Sequence, residues 1–226
     1  MRRIMMDLSK ELRARRSFNL VDISIDEDKD KGTATIEGYA AVFDSETVIG
    51  TNWWIESIAR GAIKESALED VVLLVNHDDS RVALARSRKN NASSTLQLII
   101  DDKGLKIKAS LDIANNSEAK NLFSAVKRGD ISGMSFMFQV TANEWSDLEK
   151  DIPKRKITEI SRVYEVSAVN FPAYGDTEIY ARQASDTLEN EKKALESARS
   201  TLLVNNESLD IAKRKALFKI NNLGGK

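Results

Sequence analysis

The sequence predicts an α+β fold that is mainly β: a closed or strongly bent antiparallel β-barrel with peripheral helices, followed by a helical C-terminal tail. Three observations carry this expectation. About seven to nine β-branched or alternating apolar runs lie between residues 17 and 182. Only two short helical patterns interrupt them, so the strands must cover one another. From Gln183 onward the composition shifts to charged, helix-favouring residues.

The elements follow in chain order. Residues 1–16 hold six basic residues, and Ile4, Leu8 and Leu12 recur at helical spacing, which reads as a basic helix or arm. FNLVDISID alternates, DKDKG turns, and TATIEGYAAVF is β-branched and aromatic, which gives two strands. Residues 44–58 read as a loop carrying Trp53 and Trp54, one of them half-exposed, and IARGAIKESAL as a short amphipathic helix. VVLLVNH (71–77) is a buried strand whose end emerges at His77, and VALARS is a further short strand. TLQLIID and LKIKASLD alternate around DDKG as a hairpin. SEAKNLFSAVKRG is a helix with Ala119, Leu122, Phe123 and Val126 on one face. Asn115 with Glu118 resembles its capping box, and Gly129 is its stop. ISGMSFMFQV (131–140) and KITEISRVYEVSAVNF (156–171) are strands, the second ended by Pro172. The tail after a boundary near 182 reads as a helical hairpin or extension without sustained heptads.

Composition narrows the chemistry. Across 226 residues, 34 Lys+Arg against 35 Asp+Glu give a net charge of −1, without the basic excess of a nucleic-acid binder. The absence of Cys excludes disulfides and thiol nucleophiles, and a single His excludes multi-His metal sites. No metal-ligand cluster, Gly-rich phosphate loop or G-x-S-x-G elbow is present, so no metal and no cofactor is expected. No apolar run approaches the roughly 20 residues needed to span a bilayer, and MRRIMMDLSKELRARR lacks the apolar region of a secretory signal. A chain that is neither secreted nor membrane-bound is expected.

Three residues stand out. His77, at a strand end, is the one imidazole available as a general base near neutrality. On the strand 131–140, Met134, Phe136, Phe138 and Val140 share the core-facing side. Ser135 faces the other way with Gly133, Met137 and Gln139; its hydroxyl becomes a nucleophile only with a base as partner. Glu165 sits in the apolar run RVYEVSAV, where a carboxylate costs several kcal/mol unless it is paired. Its partner is Arg162 or Lys156 in an ion pair, or the second nitrogen of His77, with Asp78, Asp79 and Glu159 as competing acids. Arg86, Arg88, Arg162 and backbone N–H groups near Ser135 are the candidates for oxyanion donors.

Together the segments EGYAAVFDSE, ESIARGAIKESA, VVLLVNHD, KGLKIKASLD, LFSAVKRGDISGMSFMF and YEVSAVNFPAYGDTEI resemble the prohead proteases of tailed bacteriophages, relatives of the herpesvirus assemblins. The most specific pieces are N-H-D, G-M-S-F-x-F and E-V-S-x-V-x-F-P-A, in that order, within residues 17–182. The resemblance implies a serine endopeptidase with a barrel surrounded by helices. It places the nucleophile at Ser135, the base at His77 and the acidic third member at Glu165. The herpesvirus enzymes use a second His there, which this chain lacks, so an acid or water must serve. Met137 stands where the phage family commonly has Gly, and Ala85-Arg86 where Gly-Arg is common.

The resemblance also implies action in the host cytoplasm, inside the procapsid and its portal-bearing interior. The substrates would be scaffold segments, the major capsid protein and the protease itself, and self-association as a dimer is implied. The basic arm 1–16 and the tail 183–226 would be packaging, interaction or self-cleavage elements around a protease domain at 17–182. Three rivals make different predictions: a non-enzymatic capsid assembly or scaffold protein that keeps the fold, a binding module using Trp53 and Trp54, and a protease–scaffold fusion.

Overall fold

The computed structural model describes residues 4–19, 24–89, 91–170 and 185–223. Its elements are β1 (Ile4–Asn19), β2 (Ser24–Asp28), β3 (Thr33–Val42), β4 (Thr47–Ile49), β5 (Trp54–Ile58), β6 (Asp70–Val75), β7 (Ala85–Arg88), β8 (Leu96–Ile100), β9 (Gly104–Asp112), α1 (Ser117–Arg128), β10 (Gly133–Ser146), β11 (Lys154–Val169) and α2 (Ser185–Leu223). The structure is mainly β with two α-helices among the described residues.

Two sheets share one core. The larger runs β1-β10-β11-β5-β4, and β6 also pairs with β11 and carries β7 on its far side. The smaller runs β2-β3-β9-β8. Strand pairing among the described residues does not close into a ring, so of the expected closed or strongly bent barrel the closed form is not found there. Where β7 approaches β8, the link is a side chain: the Arg86 N–H donates to Thr95 Oγ1 at 2.9 Å. The expected all-antiparallel pairing also fails at β11, which runs parallel to β5 along its first half and to β6 along its second.

Period-2 alternation builds the core. In β9, Leu105, Ile107, Ala109 and Leu111 are buried, while Lys106 and Lys108 reach out to Glu37. In β10, Met134, Phe136, Phe138 and Val140 enter the same core, with the two Phe rings stacked 4.2 Å apart. Each such fully buried side chain contributes about 1.5–3 kcal/mol. The β10–β11 register shifts immediately after Met137, which bends both strands beside Ser135 and Glu165.

Four local expectations need correction. The N-terminal segment is a strand and not a helix: β1 pairs with β10 from Ile4↔Trp145 to Asn19↔Gly133. The vacant edge of β10 outweighs a three-leucine-type spacing, because ladder bonds satisfy every second backbone group. Residues 44–58 are not all loop, since they contain β4 and β5. IARGAIKESAL forms the end of β5, a bridge Ile63↔Ile160 and a single 3-10 turn, Glu65–Leu68; Gly61 breaks any helix with φ 78°. Finally, α1 is capped by Asn116, not Asn115: its side chain accepts from the N–H groups of Glu118 and Ala119. Gly129 closes that helix in the left-handed conformation, as expected.

The tail is one helix, not a hairpin. Leu195 and Ala198 pack against Trp54, Trp145 and Leu148 in a second apolar cluster. Pro172 and the boundary near 182 lie outside the described residues.

Candidate active site

β6 leaves the core at Val75, and the next two residues, Asn76 and His77, both adopt left-handed backbone conformations (φ 52° and 60°). Such non-glycine conformations cost roughly 1–3 kcal/mol each and persist only when neighbours fix them. Here the Asn76 N–H donates to the Ala168 carbonyl at 2.9 Å, and Asn76 Oδ1 accepts from the Asn170 N–H at 3.1 Å. The His77 N–H donates to Ser167 Oγ at 3.2 Å. This turn folds the imidazole back over β11.

Glu165 and Ser167 are two residues apart on β11 and therefore share a face. His77 Nδ1 lies 2.5 Å from Glu165 Oε1, with the two side chains 2% and 3% exposed. Ser167 Oγ donates to the other oxygen, Oε2, at 2.5 Å. A carboxylate at this distance accepts the Nδ1 proton, which fixes the ring orientation and makes Nε2 the basic nitrogen.

Ser135 lies directly opposite Ser167 across the β10–β11 ladder, and Met137 opposite Glu165. Opposed residues on antiparallel strands have Cα atoms roughly 4.5–5.5 Å apart, with side chains on one face. Ser135 is fully buried, and its hydroxyl donates to the Arg16 carbonyl of β1 at 3.0 Å. The structure thus brings His77 and Glu165 into contact and sets Ser135 one strand away, on the face they occupy. Beside this turn, a cleft of about 370 Å³ opens between residues 75–81 and α1, lined by Asn76, Asp78, Arg81, Glu118 and Ile131 among others.

The other candidates fall elsewhere. Asp78 holds Ser80 and Arg81, Lys156 pairs with Asp44, and Arg162 lies over the Tyr164 ring at 5.0 Å. Arg86 is held by both oxygens of Asp70, at 2.8 and 2.7 Å. Asp79, Arg88 and Glu159 are exposed. Trp54 is buried and Trp53 half-buried, their rings tilted by 32° with centres 6.2 Å apart, and Trp54 meets Trp145 edge-on at 5.8 Å; they serve the tail cluster.

Sequence reasoning missed Ser167, although its position two residues past Glu165 in E-V-S carried the signal. It also missed a buried ionic cluster drawn from β1, β5, β11 and α2. Arg16 of β1 binds Glu56 of β5 through Nε and Nη2, and Glu191 of α2 through Nη2 at 3.0 Å. Arg155 of β11 reaches the same two carboxylates through Nη1, at 2.9 and 2.8 Å. Burial works to raise the Glu56 pKa, but Arg16 and Arg155 outweigh it and hold it at about 2. Burial works to lower the Arg16 pKa, and Glu191 and Glu56 reverse that into a rise. The alternation W-I-E-S-I, which buries Trp54, Glu56 and Ile58, was the available signal for Glu56.

No helix among the described residues is long and apolar enough to cross a membrane. No curated protein matches the chain. Among solved structures, the bacteriophage T4 capsid assembly protease gp21 aligns over 71% of this chain and 99% of its own, at 11% identity and a TM-score of 0.46. The family described as Caudovirus prohead serine protease matches residues 20–193, well over half of the sequence. By that match the chain belongs to the caudovirus prohead serine proteases.

Proposed function

We propose that this chain is the serine endopeptidase that cleaves scaffold and capsid proteins, and itself, inside the phage procapsid during head maturation. The observation that carries the reading is the buried Nδ1–Glu165 contact of the chain's one imidazole, on the sheet face that also bears Ser135. In this reading Ser135 is the nucleophile, His77 the general base and Glu165 the acid that orients it. His77 Nε2 takes the Ser135 proton as Oγ attacks the scissile carbonyl carbon, and Glu165 stabilises the imidazolium that forms. The imidazolium then protonates the leaving amine. Water, deprotonated by His77, hydrolyses the acyl-enzyme and restores Ser135. Ser167 positions the site by holding the Glu165 carboxylate and the His77 backbone together.

Co-expression with the major capsid protein of the same phage tests this. The unmodified chain should yield discrete capsid-protein fragments that Ser135→Ala does not. Identical fragments with Ser135→Ala, in a variant that folds normally, would reject the nucleophile assignment.

A further inference from the structure

The Ser135 hydroxyl donates a hydrogen bond to a peptide carbonyl of the chain's own N-terminal strand. That carbonyl belongs to Arg16, so the Arg16–Ser17 bond lies against the residue assigned as nucleophile. The strand is extended and antiparallel to β10, with Ser17 opposite Ser135, Arg16 opposite Phe136 and Ala14 opposite Phe138. Extended, edge-added strands are how peptides satisfy their backbone groups on a sheet.

The side chains around this bond are also held. Ala14 is buried in the main core. The Arg16 guanidinium is 12% exposed and gripped by Glu56 and Glu191, both nearly inaccessible. Without Arg16, those two carboxylates face Arg155 alone and the buried cluster carries a net charge of −1. An uncompensated buried charge is strongly destabilising. The cluster therefore selects a cation, and the cation it holds is supplied by the strand that lies on Ser135.

We propose that β1 is a bound substrate segment, that Arg16–Ser17 is a self-cleavage site, and that the Glu56–Glu191 pair is the pocket that reads a basic side chain on the acyl side of the cut. This rests on Ser135 being the nucleophile, and it adds the bond, the specificity and an order of events. As the Ser135 hydroxyl turns its proton from the Arg16 carbonyl oxygen to His77, an oxygen lone pair faces the carbonyl carbon. The Oγ–C bond forms, the bond from that carbon to the Ser17 nitrogen breaks, and His77 delivers the proton to the Ser17 amine. Water then cleaves the ester, leaving residues 1–16 with an Arg16 carboxylate and a protease that begins at Ser17. Until that segment departs, β1 covers the edge of β10 and fills the Glu56–Glu191 pocket, so other substrates wait for self-processing.

The test uses the full chain. Intact-mass measurement and N-terminal sequencing should show the unmodified protein beginning at Ser17 and Ser135→Ala retaining residues 1–16. A synthetic peptide of residues 10–24, KELRARRSFNLVDIS, should be cut by the unmodified enzyme between Arg16 and Ser17. The same peptide with Arg16→Glu should be cut at least about 10²-fold more slowly, because a third carboxylate would enter the pocket. Glu191→Gln should narrow that difference. Loss of residues 1–16 from Ser135→Ala, cleavage at another bond, or equal cleavage of both peptides would overturn the proposal. Labelling of the unmodified chain by a fluorophosphonate at Ser135 separates the two levels. Labelling without cleavage at Arg16 ends this inference and leaves the serine-protease reading standing; neither labelling nor cleavage ends both.

Discussion

His77 Nδ1 and Glu165 Oε1 lie 2.5 Å apart in a pocket that leaves neither side chain more than 3% exposed. A buried carboxylate must be compensated, and here both of its oxygens are: one by the imidazole, the other by Ser167 Oγ. The ring is also fixed from behind, because its own backbone N–H is held by that same serine. The two left-handed residues at the end of β6 are the local strain that this arrangement balances.

Glu165→Gln keeps the shape of the acid and removes its charge. The amide still accepts from Nδ1, but it stabilises an imidazolium far less. We expect kcat on a cleavable peptide to fall by about 10²–10⁴-fold with KM little changed, since Glu165 does not lie where substrate binds. The melting temperature should fall only modestly. A kcat equal to that of the unmodified enzyme would remove Glu165 from the mechanism.

The Arg16, Glu56, Arg155 and Glu191 cluster predicts an acid response. Against desolvation, Arg16 and Arg155 hold Glu56 at about 2, below its ordinary 4.5. A depressed carboxyl stabilises the folded state fully above its unfolded value and loses that contribution as pH falls through the folded one. The groups facing it are Arg16 from β1, Arg155 from β11, Glu191 from α2 and the Trp54 indole, whose Nε1 donates to Glu56 at 3.3 Å. In the Ser135→Ala background, which keeps β1 attached, Glu56→Gln should be clearly less stable at pH 7. Urea unfolding should show that gap closing as the pH is lowered from 4.5 toward 2. A gap that stays constant over this range would show that the charge of Glu56 contributes nothing to stability.

Much of the candidate site is legible in the amino-acid sequence. Period-2 alternation placed Met134, Phe136, Phe138 and Val140 inward and turned Ser135 the other way. A carboxylate in an apolar strand demanded a partner, and His77 was among the three offered. What the sequence did not show is long-range. Helical spacing in residues 4–12 is real, but the open edge of β10 recruits them as a strand. The left-handed turn at Asn76 and His77 depends on contacts from Ser167 of β11 and from Asn170 just after it, 90 and 94 residues away. The ionic cluster joins four elements, so no local pattern announces it. Asn115 and Asn116 are locally equivalent as caps, and the choice falls to Asn116 because Asp112 holds Asn115.

The tail helix divides into a docked part and a projecting part, and that division makes a prediction. Glu191, Leu195 and Ala198 are buried against the sheet, and Lys192 Nζ sits 3.9 Å from the centre of the Trp53 ring. Beyond them Leu203, Val204 and Ile211 are each more than half exposed. Residues 205, 207–209 and 211–215 are all exposed, so deleting residues 205–226 should change stability by less than about 0.5 kcal/mol. In the Ser135→Ala background, which keeps Arg16 in place, deleting 185–226 uncovers Trp54 and Trp145 and leaves Arg16 and Arg155 sharing Glu56 alone. Losing the burial of Leu195 alone costs about 1.5–3 kcal/mol, and breaking a buried ion pair a further ~3–5 kcal/mol. Because the larger deletion could prevent folding, Ala198→Glu gives a second readout: a carboxylate forced into the tryptophan cluster should lower stability and shift tryptophan emission to the red. If Ala198→Glu and the 185–226 deletion both melt like the unmodified chain, the helix is an appendage. If both melt lower while the 205–226 deletion does not, its first four turns are part of the protease body.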